Sequence, residues 1–178
     1  DNNDSWTDVT QADLDKLAQL VTDLGLDGVH IDDEIVGTDQ TNMDAYYTLI
    51  SQVRQALDSV STQQKQTQAT HALTLSLAGW ATGADCTAQT PNSDYPQCTN
   101  NSYWSGNNAG RERILFHDHS DVLAMIDAIA VMSYNYGNSQ YDPVVAYNQF
   151  RQIAPGKSIA IGVQQAPESA PNADPIQN

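Results

Sequence analysis

The stretch on which the reading turns is Asp27-Gly28-Val29-His30-Ile31-Asp32-Asp33-Glu34. Apolar Val29 and Ile31 alternate with polar His30 and Asp32, the period-two pattern of a strand. Alternate residues share a face, so His30, Asp32 and Glu34 project together while Val29 and Ile31 point the other way. Two carboxylates and an imidazole converging there are costly for folding unless they are offset or neutralised. The carboxyl end of a parallel strand is also where βα proteins place their chemistry. Crowding makes one of several carboxylates hold its proton to higher pH, which turns it into a proton donor.

Working outward, Thr10 and Asp13 have the spacing of a capping box, and Leu14, Leu17, Val21 and Leu24 recur at helical spacing before Gly25. Downstream, Met43 to Val60 predicts a second helix with Tyr46, Ile50, Val53, Leu57 and Val60 on one face. A Gln-rich linker from Thr62 to Gln68 leads into a strand at Ala72 to Ala78. From Gly79 to about Arg113 no period is visible, and a loop of that length points to function. A helix near Ser120 to Asp127 then feeds a strand at Ala128 to Ser133. Asp142 caps and Pro143 opens another helix through Val145, Phe150 and Ile153, which Ala154-Pro155-Gly156 ends. Ser158 to Val163 is the last strand, and the tail from Pro167 has no pattern. Helix alternating with strand predicts an α/β fold with a parallel sheet, one domain over residues 1–178. The local pattern fits an open sheet or part of a barrel equally well. No glycine-rich turn follows a strand, which argues against a dinucleotide site.

Composition narrows the partners. The chain has 178 residues with 22 acids against 7 bases, a formal net charge of −15. That balance argues against nucleic acid and against anionic membrane surfaces, which Lys and Arg must attract. No apolar run approaches the roughly 20 residues needed to cross a bilayer. Abundant Asp, Asn, Gln, Ser and Thr suggest a secreted protein. Without a Met start or a charged-then-apolar leader, the expectation is a mature or trimmed product. Cys86 and Cys98 bracket a polar stretch; a disulfide between them fits an oxidising compartment and would contribute about 3 kcal/mol.

The quoted strand resembles the signature of family 18 glycoside hydrolases, D-G-x-D-x-D-x-E, in which Asp27, Gly28, Asp32 and Glu34 match and His30 replaces an aspartate. A second landmark, commonly M-x-Y-D, reads Met132-Ser133-Tyr134-Asn135 here. The resemblance implies a (β/α)8 barrel, of which the four strands would be strands four to seven, with a loop insertion at about 79–113. Such a barrel takes about 250 residues, so the remaining segments would come from the full-length protein.

The resemblance also implies a retaining, substrate-assisted mechanism. Glu34 would be the general acid, Asp32 would stabilise the oxazolinium formed by the sugar's own acetamido group, and Tyr134 would hold the acetamido oxygen. His30, Asn135 and Met132 would line the same subsite, with His30 able to hydrogen-bond Asp32. Trp80, Tyr95, Tyr103 and Trp104 offer aromatic faces on which sugar rings could stack, Trp80 and Trp104 foremost. The expected ligand is chitin or an N-acetylglucosamine oligosaccharide, with no cofactor. An endo-β-N-acetylglucosaminidase is the near alternative, because Asp33 gives the D-D-E ending of that branch. A chitin-binding lectin is the other, favoured by His30 and opposed by Glu34. His30, Asp32 and Glu34 could instead share a metal ion. His117 and His119, flanking Asp118, read as a solvated loop before a helix.

Overall fold

The computed structural model describes residues 9–65, 73–86, 108–135 and 141–163, with backbone alone for 61–65 and 135. Helix α1, Gln11–Leu24, opens on the expected capping box, in which Thr10 accepts from the Asp13 amide and Asp13 accepts in return from Thr10. Gly25 closes it in the left-handed conformation at φ 61°, where a side chain would be strained. Leu14, Ala18 and Val21 are buried, whereas Leu24, expected on the same stripe, is exposed. Strand β1 covers Gly28–Ile31 and helix α2 covers Gln40–Lys65. The linker expected from Thr62 therefore starts later, because α2 remains helical to Lys65.

Strand β2, Thr74–Trp80, runs two residues beyond its expected end and takes in Gly79 and Trp80. The long insertion ends at helix α3, Arg111–Asp118, rather than near residue 113. A one-turn helix α4, Val122–Met125, precedes strand β3, Ala128–Met132, and a 3-10 turn at Ser133–Asn135. Helix α5, Pro143–Ile153, begins as its sequence dictates: Asp142 accepts from the Val144 and Val145 amides, and Pro143 supplies a preset φ. Strand β4 is Ser158–Ile161.

The four strands form one sheet in the order β1-β2-β3-β4, every pair parallel. Crossovers between parallel strands are right-handed almost without exception, so strands added in one direction place their helices on one face. The core has that form. Ile31, Leu75, Leu77, Ile129 and Val131 join one cluster with Met43, Ile50 and Leu57 of α2, Leu115 of α3, Val122 of α4 and Phe150 of α5. Gly28, His30, Ser76, Ala78, Ala130, Met132 and Ala160 alternate with those residues along the strands, and none of them belongs to the cluster. The sheet thus has a helix-packed apolar face and a second face of small and polar side chains.

At the amino ends of the strands, Asp127 accepts from the Leu75 amide at 2.9 Å, and Arg54 donates to the Leu73 carbonyl at 3.1 Å. The first bond ties β2 to the start of β3 and the second ties it to α2, both at the end remote from the acids. Gly79 sits where α5 presses closest on β2. A Cβ there would lie 2.9 Å from Phe150 Cζ and 3.0 Å from Ile129 Cγ2. Gly79→Ala should therefore destabilise the fold by about 1–3 kcal/mol through overpacking. Combined with Phe150→Leu it should cost less than the sum of the two single changes, because the trimmed ring makes room. Urea titration of the two single variants and the double variant measures the coupling, and strict additivity would refute this packing.

Candidate active site at the carboxyl end of the sheet

β1 leaves the ladder after Ile31, but its alternation carries on through the next three residues. His30, Asp32 and Glu34 are exposed, whereas Ile31 and Asp33 between them are buried. The pairing places His30 on the second face, and the exposure of Asp32 and Glu34 follows the same alternation. His30 does not turn to Asp32: its Nδ1 lies 2.9 Å from Ser76 Oγ, directly across on β2. Neither Asp32 nor Glu34 has a hydrogen-bond or ion-pair partner among the described residues.

The register carries the site across the sheet. Trp80 is paired with Met132, and both occupy the carboxyl ends of their strands on the second face. Met132 is buried at 4% exposure, while Tyr134 in the following turn is 40% exposed. The Tyr134 ring lies over Gly162, just past β4, where a Cβ would come within 2.8 Å of its Cε1. Adjacent strands are ~4.8 Å apart, so the acids after β1 and the Met132–Tyr134 segment after β3 stand on the order of 10 Å apart, with Trp80 between them. The Trp80 indole Nε1 is buried and has no hydrogen-bond partner among the described residues. The side chain of Asn135 and all of Trp104, Tyr95, Tyr103 and Cys98 lie outside the described residues. Cys86, expected to pair with Cys98, is half-buried and not a free thiol. Among the described residues no group of His, Cys, Asp and Glu is placed to share a metal ion.

The sequence reading missed what lies directly beneath. Asp33, at 1% exposure, is ion-paired with Arg111 at 0%, and the adjacent Glu112 is also fully buried. Arg111 Nη2 donates to Asp33 Oδ2, and Arg111 Nη1 donates to the Asp33 carbonyl at 3.4 Å and to Glu112 Oε1 at 3.3 Å. The guanidinium also stacks on the Tyr46 ring of α2, 4.5 Å from its centroid. Burial works against the charge on Arg111, and Glu112, Asp33 and Tyr46 together outweigh it and raise its pKa. The period-two pattern was the available signal: it places Asp33 on the apolar face, where a carboxylate needs a cation. Arg111 and Arg113, in the first turn of α3, are the sole Lys or Arg residues between Gly79 and Asp118. Arg113 anchors the base of that loop by donating to the Ala84 carbonyl at 2.6 Å and 3.0 Å.

One guanidinium thus serves two buried carboxylates. Burial pushes Glu112 from its ordinary 4.5 up to about 7, with Arg111 pulling the other way. Because the folded pKa is the higher one, the folded chain holds more protons than the unfolded chain between those two values. The resulting stability is complete below pH 4.5 and is lost as pH rises toward about 7. The slope for one proton is at most about 1.4 kcal/mol per pH unit. Glu112→Gln should remove that slope, so the stability of the variant relative to wild type should rise from pH 5 to about pH 7. Denaturant titrations of both proteins at three pH values measure it; parallel pH profiles would contradict the assignment.

No family model and no curated protein matches this chain.

Proposed function

We propose that the chain carries the catalytic segment of a secreted, chitinase-like family 18 glycoside hydrolase, cleaving β-1,4 bonds next to N-acetylglucosamine. The observation that carries this reading is the exposure of Asp32 and Glu34 just past the carboxyl end of β1, with Trp80 and Met132 at the carboxyl ends of the next two strands and Tyr134 in the turn that follows. The sheet order supports the matching fold. Consecutive strands lying side by side, with their helices on one face, are the arrangement within a (β/α)8 barrel. A doubly wound sheet would instead reverse its strand order at a switch point and carry helices on both faces. The strands then correspond to the fourth to seventh of the barrel, the second face being its interior.

In this reading Glu34 donates its proton to the glycosidic oxygen as the bond to the anomeric carbon breaks. The acetamido oxygen of the same sugar attacks that carbon and forms the oxazolinium. Asp32 stabilises the positive charge developing on the acetamido nitrogen, and Tyr134 holds the acetamido oxygen in line, a proximity contribution to the rate. His30, fixed by Ser76, bounds the pocket on the β1 side. Trp80, partly exposed, offers a ring on which the sugar can stack. A net charge of −15 suits a neutral glycan better than an acidic one.

The buried Asp33 favours a second reading. Chitinases often carry tryptophan at this position, and the Asp33-Glu34 pair is similar to the endo-β-N-acetylglucosaminidase branch. Products from chitotetraose and from a high-mannose glycoprotein, identified by mass, separate the two. In either case Glu34→Gln should lower turnover by about 10²–10⁴-fold, with oligosaccharide affinity nearly intact. Wild-type turnover in that variant would sink the assignment, and binding with no turnover in either protein would make the chain a lectin.

A further inference from the structure

We infer that Arg111 is a positioning residue for Glu34, acting through Asp33 from the opposite face of the sheet; the inference rests on the reading of Glu34 as the acid. Asp33 uses both of its carboxylate oxygens. Oδ1 accepts from the Ile35 amide at 3.1 Å, and Oδ2 accepts from Arg111 Nη2. The backbone of Glu34 is the span between Asp33 and Ile35, so the first of these bonds closes a small ring around it. Arg111 then ties that ring to α3 through the Asp33 side chain and, by its second nitrogen, through the Asp33 carbonyl. A further bond reinforces the tie a turn later, where the Gly37 amide donates to Asn108 Oδ1 at 3.0 Å.

Three features make this a device for direction. Glu34 has no partner of its own among the described residues, so its backbone is what aims it. β1 ends at Ile31, so the ladder does not hold Glu34 either. The guanidinium is fully buried and braced by Glu112 and the Tyr46 ring, leaving it one geometry. Its planar fork serves the Asp33 carboxylate and the Asp33 carbonyl at once, which a lysine ammonium cannot reproduce. Arg111 also opens the helix that follows the long insertion, so the far end of that loop is fastened directly beneath the acid.

The test compares wild type with Arg111→Lys, which keeps the charge and loses the fork, and with Asp33→Asn, should the first variant not fold. The chain holds three glutamates, so labelling glutamate with ¹³C at the carboxyl carbon gives a sparse spectrum in which Glu34→Gln identifies the Glu34 signal. In the variant the Glu34 signal should shift or broaden while that of Glu168 stays in place. On chitotetraose kcat should fall by about 10–100-fold with KM within about twofold, as expected for a misaimed group. In wild type the Ile35 amide should exchange as slowly as the amides of β2. An unmoved Glu34 signal with wild-type kcat, or fast exchange at Ile35, would overturn the inference. If wild type turns over no glycan, the hydrolase reading fails by itself, and the Glu34 signal and the Ile35 exchange still decide whether Arg111 positions this residue.

Discussion

A carboxylate buried at the end of a strand is the constraint on which the rest of this structure depends. Asp33 stands between two exposed acids, and the pleat sends it to the apolar face at 1% exposure. A lone carboxylate there would be prohibitively expensive. The structure answers with Arg111, brought from the first turn of α3 after the long insertion, far away in sequence. That contact fixes where α3 starts and how α3 sits against α2, whose Tyr46 ring covers the guanidinium. It also fixes the path of the chain leaving β1. Removing one partner of such a pair costs about 3–5 kcal/mol, since it strands the other charge.

The sheet turns this local arrangement into a site. Its helix-packed face is a continuous apolar cluster, and its second face carries Ser76, Ala78, Ala130 and Ala160 along the middle of the strands. The larger groups lie at the carboxyl ends, Trp80 and Met132 as the last residues of their strands and Asp32, Glu34 and Tyr134 in the segments just beyond. Gly162 belongs to the same design, because any side chain at that position would collide with the Tyr134 ring.

Much of this was legible in the sequence, and what was not has physical reasons. α1 and α5 were readable to within a residue, because Thr10, Gly25, Asp142 and Pro143 are strong local stop and start signals. The lower end of α2 was not: the Gln-rich run after Val60 has no apolar stripe, yet glutamine is a good helix former and the helix continues. α3 was hidden for the opposite reason. Its first turns bury Arg111, Glu112 and Arg113, so the face turned inward reads as polar and a hydrophobic period cannot find it. The acids after β1 were legible as a group because the strand period is two. Their division into Asp32 and Glu34 on one side and Asp33 on the other followed from the same rule, but the partner of Asp33 is a tertiary fact. Local pattern cannot say which of the chain's few cations comes home to it.

A buried ion pair is a weak way to gain stability. An apolar trio of similar volume in place of Asp33, Arg111 and Glu112 would often fold as well or better. What such a cluster supplies, and an apolar trio does not, is direction. A hydrophobic contact is tolerant of small rotations, whereas the bonds from Arg111 and the Ile35 amide leave Asp33 a single orientation. Glu112 sharpens the argument, since it adds a second buried carboxylate that is itself costly enough to hold its proton up to about pH 7. Because Glu112 accepts from the Arg111 nitrogen that also reaches the Asp33 carbonyl, it holds the guanidinium in the plane from which both of its bonds to Asp33 can form at once.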